Sequence, residues 1–202
     1  MMVKICGITN PEDALAAVEA GASALGFNFY RKSPRFIEPE EAAHIIGRLP
    51  AGVSKAGVFV NAPAGTVSGI AARIGLDVVQ LHGEQPSGAP FPGLRVWRAM
   101  GVGPEFDAAR LEEFEAEAFL LDTPVSDMYG GTGKTFDWSR IAGIPRKIIV
   151  AGGLDENNVR EAIRVARPWG VDACSRLESV PGRKDHARLR AFVKAALSEN
   201  PS

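Results

Sequence analysis

The sequence predicts an α/β protein, a (β/α)₈ TIM barrel in a single domain. Three observations carry that expectation. Short apolar runs alternate with helix-like segments along the whole chain, eight such units fit into 202 residues, and polar side chains recur where the apolar runs end. An open doubly wound sheet is the structural competitor, since it is built from the same units. The Pro- and Gly-bearing stretches at 61–65 and 87–93 are too short to divide the chain into domains.

The units follow in order. Alternation in the opening strand sets Lys4 and Cys6 on one face and Val3 and Ile5 on the other. Asn10 as N-cap and Pro11 at the first helical position start the first helix. The run 24–29 reads as a strand and 38–46 as a helix led by acidic residues, which favour a helix N-terminus. A strand at 53–60, a helix at 63–73 and a strand at 77–81 come next, then a short loop-rich connection. The pattern resumes with a strand at 94–100, a helix at 106–115 and a strand at 117–122. A long glycine-rich loop leads to a brief helix at 137–141, a strand at 147–151, a helix at 155–166, a strand at 169–174 and a final helix at 184–198.

A net charge of −1 and a pI near 6.3 give no electrostatic pull toward nucleic acid or a membrane surface. No apolar run is long enough for a bilayer span and no secretory leader pattern opens the chain, so the expected location is cytoplasmic. In that reducing compartment the two cysteines, Cys6 and Cys174, are expected to stay thiols. Oligomeric state is left open.

In a barrel of this kind the chemistry sits at the carboxyl ends of the strands. Cys6 lies at the end of the first, where the alternative reading is a small buried hydrophobe. Asp122 follows an apolar run, and burial there raises a carboxyl pKa and keeps a proton available, which makes it a candidate general acid; a turn-capping role is the alternative. Asp127 is expected to be solvated. His82 reaches the same rim as a substrate contact. Arg35, after the second strand, has the fork geometry to hold a carboxylate, against the alternative of a solvated basic loop. The stretch 130–135 looks like a nucleotide-binding P-loop, but Met128 stands where that motif needs its first glycine. A mobile loop over the active site is the better reading. Gly152 and Gly153 after strand seven, with Ser175 and Arg176 after strand eight, match the place where barrels hold phosphate, so a small phosphorylated substrate is expected. Asp172 either faces that ligand or pairs with a barrel cation.

The ordered motifs Lys4-Ile5-Cys6-Gly7-Ile8-Thr9, Ser33-Pro34-Arg35, Gln80-Leu81-His82-Gly83, Leu121-Asp122-Thr123, Gly130 to Trp138 and Ala151-Gly152-Gly153-Leu154 closely resemble the phosphoribosylanthranilate isomerase family. The resemblance spans nearly the whole chain. It implies a cofactor-free, metal-free Amadori rearrangement of N-(5'-phosphoribosyl)anthranilate to 1-(2-carboxyphenylamino)-1-deoxyribulose 5-phosphate in tryptophan biosynthesis. It further implies that Cys6 is the general base, Asp122 the general acid, Arg35 the partner of the anthranilate carboxylate and Asp172 a wall of the substrate pocket. One departure stands out: the family usually reads Ser-Gly-Val-Glu after strand eight, and this chain has Ser175-Arg176-Leu177-Glu178. Another phosphosugar isomerase on the same barrel is the alternative enzyme, and a non-catalytic barrel that binds a phosphorylated ligand is the alternative outside catalysis.

Overall fold

A computed structural model describes residues 1–83, 91–124 and 135–199. Eight parallel strands close into a barrel in sequence order: β1 Met2–Cys6, β2 Ala24–Asn28, β3 Ser54–Val60, β4 Val78–His82, β5 Arg95–Gly101, β6 Ala118–Asp122, β7 Ile148–Val150 and β8 Gly170–Ala173. The seam is made where β8 pairs back onto β1, with Lys4 opposite Asp172 and Ile5 opposite Ala173. The helices α1 Pro11–Ala20, α2 Pro39–Ile46, α3 Ala64–Ile74, α4 Val159–Ala166 and α5 His186–Ser198 follow strands one, two, three, seven and eight.

Period-two alternation explains the two cores. Residues facing outward, such as Val3, Ile5, Leu25, Phe27, Phe119 and Leu121, pack under the helices. Those facing inward form a second cluster of mostly small residues, Ala24, Ala56, Ala99, Ala118 and Ala151 among them, with Trp97 filling the space they leave. Trp97 is fully buried, and its indole N–H donates to Glu117 Oε2 at 3.1 Å. The same alternation makes Cys6, Asn28, His82 and Asp122 the last inward residues of β1, β2, β4 and β6.

Local chemistry sets the boundaries. Asn10 Oδ1 accepts from the Asp13 N–H at 2.9 Å and Pro11 opens α1, while Gly21 at φ 104° ends it. The carboxylate of Asp13, inside that first turn, also takes the Lys184 N–H and His186 Nε2, each at 2.8 Å, and so ties the two ends of the chain together.

Four elements differ from expectation. The segment expected as a helix at 106–115 is a single 3₁₀ stretch, Ala108–Glu113, because Leu111 is its only buried side chain and one apolar anchor does not hold a longer amphipathic helix. Trp138–Ile141 is likewise 3₁₀. α4 begins at Val159, not 155, because Asp155 Oδ1 accepts from the N–H groups of Asn157 (2.9 Å) and Asn158 (3.2 Å) and holds a turn there. A hairpin of β9 Glu178–Val180 and β10 Arg183–Lys184 stands between β8 and α5 where no strand was expected. The expected loop over the site, with Asp127 in it, lies outside the described residues. Among the described residues no helix is long and apolar enough to cross a membrane.

Candidate active site

The base of the site is the seam. Lys4 Nζ lies 2.9 Å from Asp172 Oδ1 with no side-chain surface exposed, and it also hydrogen-bonds the Cys6 sulfur. Burial works against the charge on Lys4, but the Asp172 carboxylate and the Cys6 sulfur outweigh it and raise its pKa. Asp172 is nonetheless pushed up to about 7, by burial first, with Lys4 opposing and the negative charge of Cys6 adding to it. One ammonium therefore serves two acidic partners. Lys4 stays charged, and Asp172 competes with Cys6 for it.

Cys6 is pulled well below the ordinary thiol range. A hydrogen bond from the Cys174 thiol is the largest cause; burial opposes it, and the charges of Lys4 and Lys184 assist. Cys174, as the donor, is pushed correspondingly up and keeps its proton. Behind it, Lys184 Nζ donates to the Cys174 carbonyl at 3.2 Å and approaches its sulfur at 3.7 Å. The same ammonium pairs with Glu178 Oε1 at 3.0 Å, and Glu178 takes Arg35 Nε and Nη2 at 2.8 Å each.

Asp122 carries the opposite shift. Burial raises its pKa to about 6, against a 2.6 Å hydrogen bond from the Thr123 N–H, and the charge of Cys6 adds to the rise. Close backbone approach completes its surroundings. Gly152, at φ 84°, comes so near that a β-carbon on it would lie 2.6 Å from Thr123 Oγ1 and 2.7 Å from the Thr123 nitrogen.

Cys6, Arg35, His82, Asp122, Gly152, Gly153, Asp172, Ser175 and Arg176 all line one pocket at this end of the barrel. Three of them arrive with partners the sequence did not suggest. Arg35 is not a solvated loop residue: its side chain is only 13% exposed and its Nε–Nη2 edge is taken by Glu178. Arg176 directs Nη1 to Asp155 Oδ2 at 2.8 Å. Asp172 lines the pocket and pairs with a barrel cation, Lys4. His82 is neutral, its pKa lowered to about 4 by burial and then by the charges of Lys4 and Arg98, and its Nε2 lies 2.8 Å from Gln80 Nε2.

Lys4, Gln80, Cys174, Glu178 and Lys184 were not among the candidate site residues read from the sequence. A lysine two positions from Cys6 on the same strand face was a usable signal for the first. Gln80 Oε1 is buried and without a hydrogen-bond partner among the described residues, an orphan visible only in three dimensions. Glu178 and Lys184 come from the unexpected hairpin.

Comparison with known proteins agrees with this geometry. The sequence model of the N-(5'-phosphoribosyl)anthranilate (PRA) isomerase family matches residues 3–195. The chain belongs to this family. A PRA isomerase of Solibacter usitatus is 52% identical over 197 residues, covering 97% of each chain. The crystal structure of phosphoribosyl anthranilate isomerase from Thermotoga maritima superposes with a TM-score of 0.89 at 45% identity, covering 98% of this chain and 100% of that one. A structure of the isomerase in complex with reduced 1-(o-carboxyphenylamino)-1-deoxyribulose 5-phosphate gives a TM-score of 0.86 at 42% identity, with 98% and 100% covered. At the departure from the family's usual Ser-Gly-Val-Glu, the backbone of this PRA isomerase family member makes a short 3₁₀ turn, Ser175–Leu177, and the Arg176 side chain extends to Asp155.

Proposed function

We propose that this isomerase converts N-(5'-phosphoribosyl)anthranilate to 1-(2-carboxyphenylamino)-1-deoxyribulose 5-phosphate, an Amadori rearrangement of tryptophan biosynthesis in the cytoplasm, with Asp122 as acid and Cys6 as base. The observation that carries the division is the pair of opposite shifts in one pocket: Cys6 gives up its proton below the ordinary thiol range, and Asp122 keeps its proton up to about pH 6. The charge on Cys6 is itself among the causes that raise the Asp122 pKa.

Asp122 protonates the ribose ring oxygen, the ring opens, and a protonated Schiff base forms at C1. That cation acidifies C2. The Cys6 thiolate removes the C2 proton, and the resulting enolamine tautomerises to the ketone. Lys4 and the Cys174 thiol hold the sulfur anionic between turnovers. Around the reacting carbons, the N–H groups of Gly152 and Gly153 with Ser175 suit the phosphate, and Arg176 steadied by Asp155 stands beside them. Arg35 keeps its Nη1 edge for the anthranilate carboxylate while Glu178 fixes the other. Neutral His82 and the unpartnered Gln80 Oε1 are placed to meet sugar hydroxyls.

The test is direct. Purified protein given freshly generated substrate should quench its anthranilate fluorescence, and Cys6→Ser should lower turnover by about 10²-fold or more, the scale of a general base. Quenching at an undiminished rate in the folded variant would remove Cys6 from the role.

A further inference from the structure

We propose that Cys6 and Cys174 form a modification site, in which hydrogen peroxide closes the two thiols into an intramolecular disulfide and reversibly silences the isomerase. The silencing rests on Cys6 being the base; the bond itself does not.

The geometry comes from the seam. β1 and β8 are paired in parallel register through Lys4 with Asp172 and Ile5 with Ala173; Cys6 is the last residue of β1 and Cys174 the first residue beyond β8, so each directly follows that last pair. Period-two alternation turns Cys6 to the inward face shared by Lys4 and Asp172, whose side chains meet at 2.9 Å, and Cys174 lines the same pocket. Neighbouring strands lie about 4.8 Å apart, inside the range of α-carbon separations that a disulfide spans. Both are free thiols on one pocket, and the Cys174 thiol also reaches Glu178 Oε1 at 3.8 Å.

The surroundings supply the rest of the chemistry. Lys4 stands at the Cys6 sulfur and Lys184 at 3.7 Å from the Cys174 sulfur, so an anion on either meets a buried cation. Both cysteines line the substrate pocket, which admits a molecule as small as peroxide. Gly7, at φ 73°, leaves the Cys174 sulfur its position, since a β-carbon there would lie 2.9 Å from it.

The atoms balance as follows. The Cys6 thiolate attacks one peroxide oxygen, the O–O bond breaks, and Cys6 becomes a sulfenic acid while hydroxide leaves and takes a proton from solvent. The Cys174 sulfur then attacks the Cys6 sulfur; the S–S bond forms, the S–O bond breaks, and the departing hydroxide takes the Cys174 proton as water. The two sulfurs lose two electrons in all, and the peroxide is reduced to two waters. A thiol reductant reverses the result, as a cytoplasmic setting requires.

The experiment treats the purified protein with excess hydrogen peroxide and follows intact mass, free thiols and isomerase activity before and after dithiothreitol. We expect the mass to fall by about 2 Da as two hydrogens leave. Both thiols should disappear, activity should drop by about 10²-fold or more, and dithiothreitol should restore all three. In Cys174→Ser the mass should instead rise as Cys6 takes up oxygen to the sulfinic level, and dithiothreitol should not restore activity. Oxygen uptake without loss of hydrogen in the parent protein, a disulfide between two molecules, or full recovery of Cys174→Ser would overturn the proposal. A disulfide formed within one chain without loss of activity would keep the bond and overturn both the silencing and the role of Cys6 as base.

Discussion

Gly26 on β2 stands directly opposite Cys6 on β1: a β-carbon on this glycine would lie 2.8 Å from Cys6 Sγ and 3.0 Å from Lys4 Nζ. Glycine at this point of β2 leaves the space that the Cys6 sulfur and the Lys4 ammonium occupy. Gly26→Ala should displace the sulfur, lower turnover well below the parent and cost about 1–3 kcal/mol of stability through overpacking. Steady-state kinetics with urea unfolding checks it; a variant with parental turnover would show that the sulfur moves freely.

Asp122→Asn should be inactive yet more stable than the parent at neutral pH. The folded state raises the Asp122 pKa from 3.8 to about 6, so the native protein binds this proton more tightly than the unfolded chain. The corresponding stability is present below pH 3.8 and is lost as pH rises through about 6, leaving a buried, poorly compensated charge above it. Removing the charge should gain up to about 3 kcal/mol near pH 7.5 and roughly half of that near pH 5. Denaturant unfolding at the two pH values reads the difference. An equal gain at both would mean that the carboxyl's ionisation is not its source.

The pH dependence of kcat/KM should follow from the same pair. Activity should fall on the alkaline side near pH 6 as Asp122 ionises, and on the acid side where the thiolate is protonated, below the usual thiol range. Because Cys6, Asp122 and Asp172 interact, these limbs belong to the cluster as a whole. A flat profile from pH 6 to about 9 would take Asp122 out of the acid role.

Lys4→Met should weaken both fold and chemistry. Loss of the ammonium leaves Asp172 buried without its partner, a change worth about 3 kcal/mol or more. Protonation of Asp172, whose pKa is already about 7, limits the damage. Cys6 loses one of its cations at the same time, so the acid limb of the profile should move toward higher pH. An unmoved limb would show that Cys174 and Lys184 suffice to lower the Cys6 pKa without Lys4.

The barrel was legible because its strands are apolar runs of regular spacing, and each of the seven after β1 differs from its expected span by no more than one residue at either end. Cys6 and Asp122 were legible for a similar reason: each ends such a run, and strand ends are where a barrel keeps polar work. Glu178 and Lys184 were not. They belong to strands of three and two residues, too short to show a period, and they matter only because the hairpin folds back over Cys174. The partners of Arg35 and Arg176 lie 143 and 21 residues away, separations at which no local pattern speaks.

The seam also bears on how the enzyme comes into being. Lys4 and Asp172, its counter-ion, are 168 positions apart, and the Cys174 thiol that holds Cys6 ionised comes later still. A nascent chain on the ribosome carries the nucleophilic sulfur almost from the start, but its acidity is set only after the last strand has emerged and docked. Until then the cysteine lacks the Cys174 and Lys184 partners that lower its pKa in the closed barrel. The onset of catalysis in a growing or refolding chain is therefore a clock for barrel closure, and chains truncated before β8 should be silent even where most of their strands have formed.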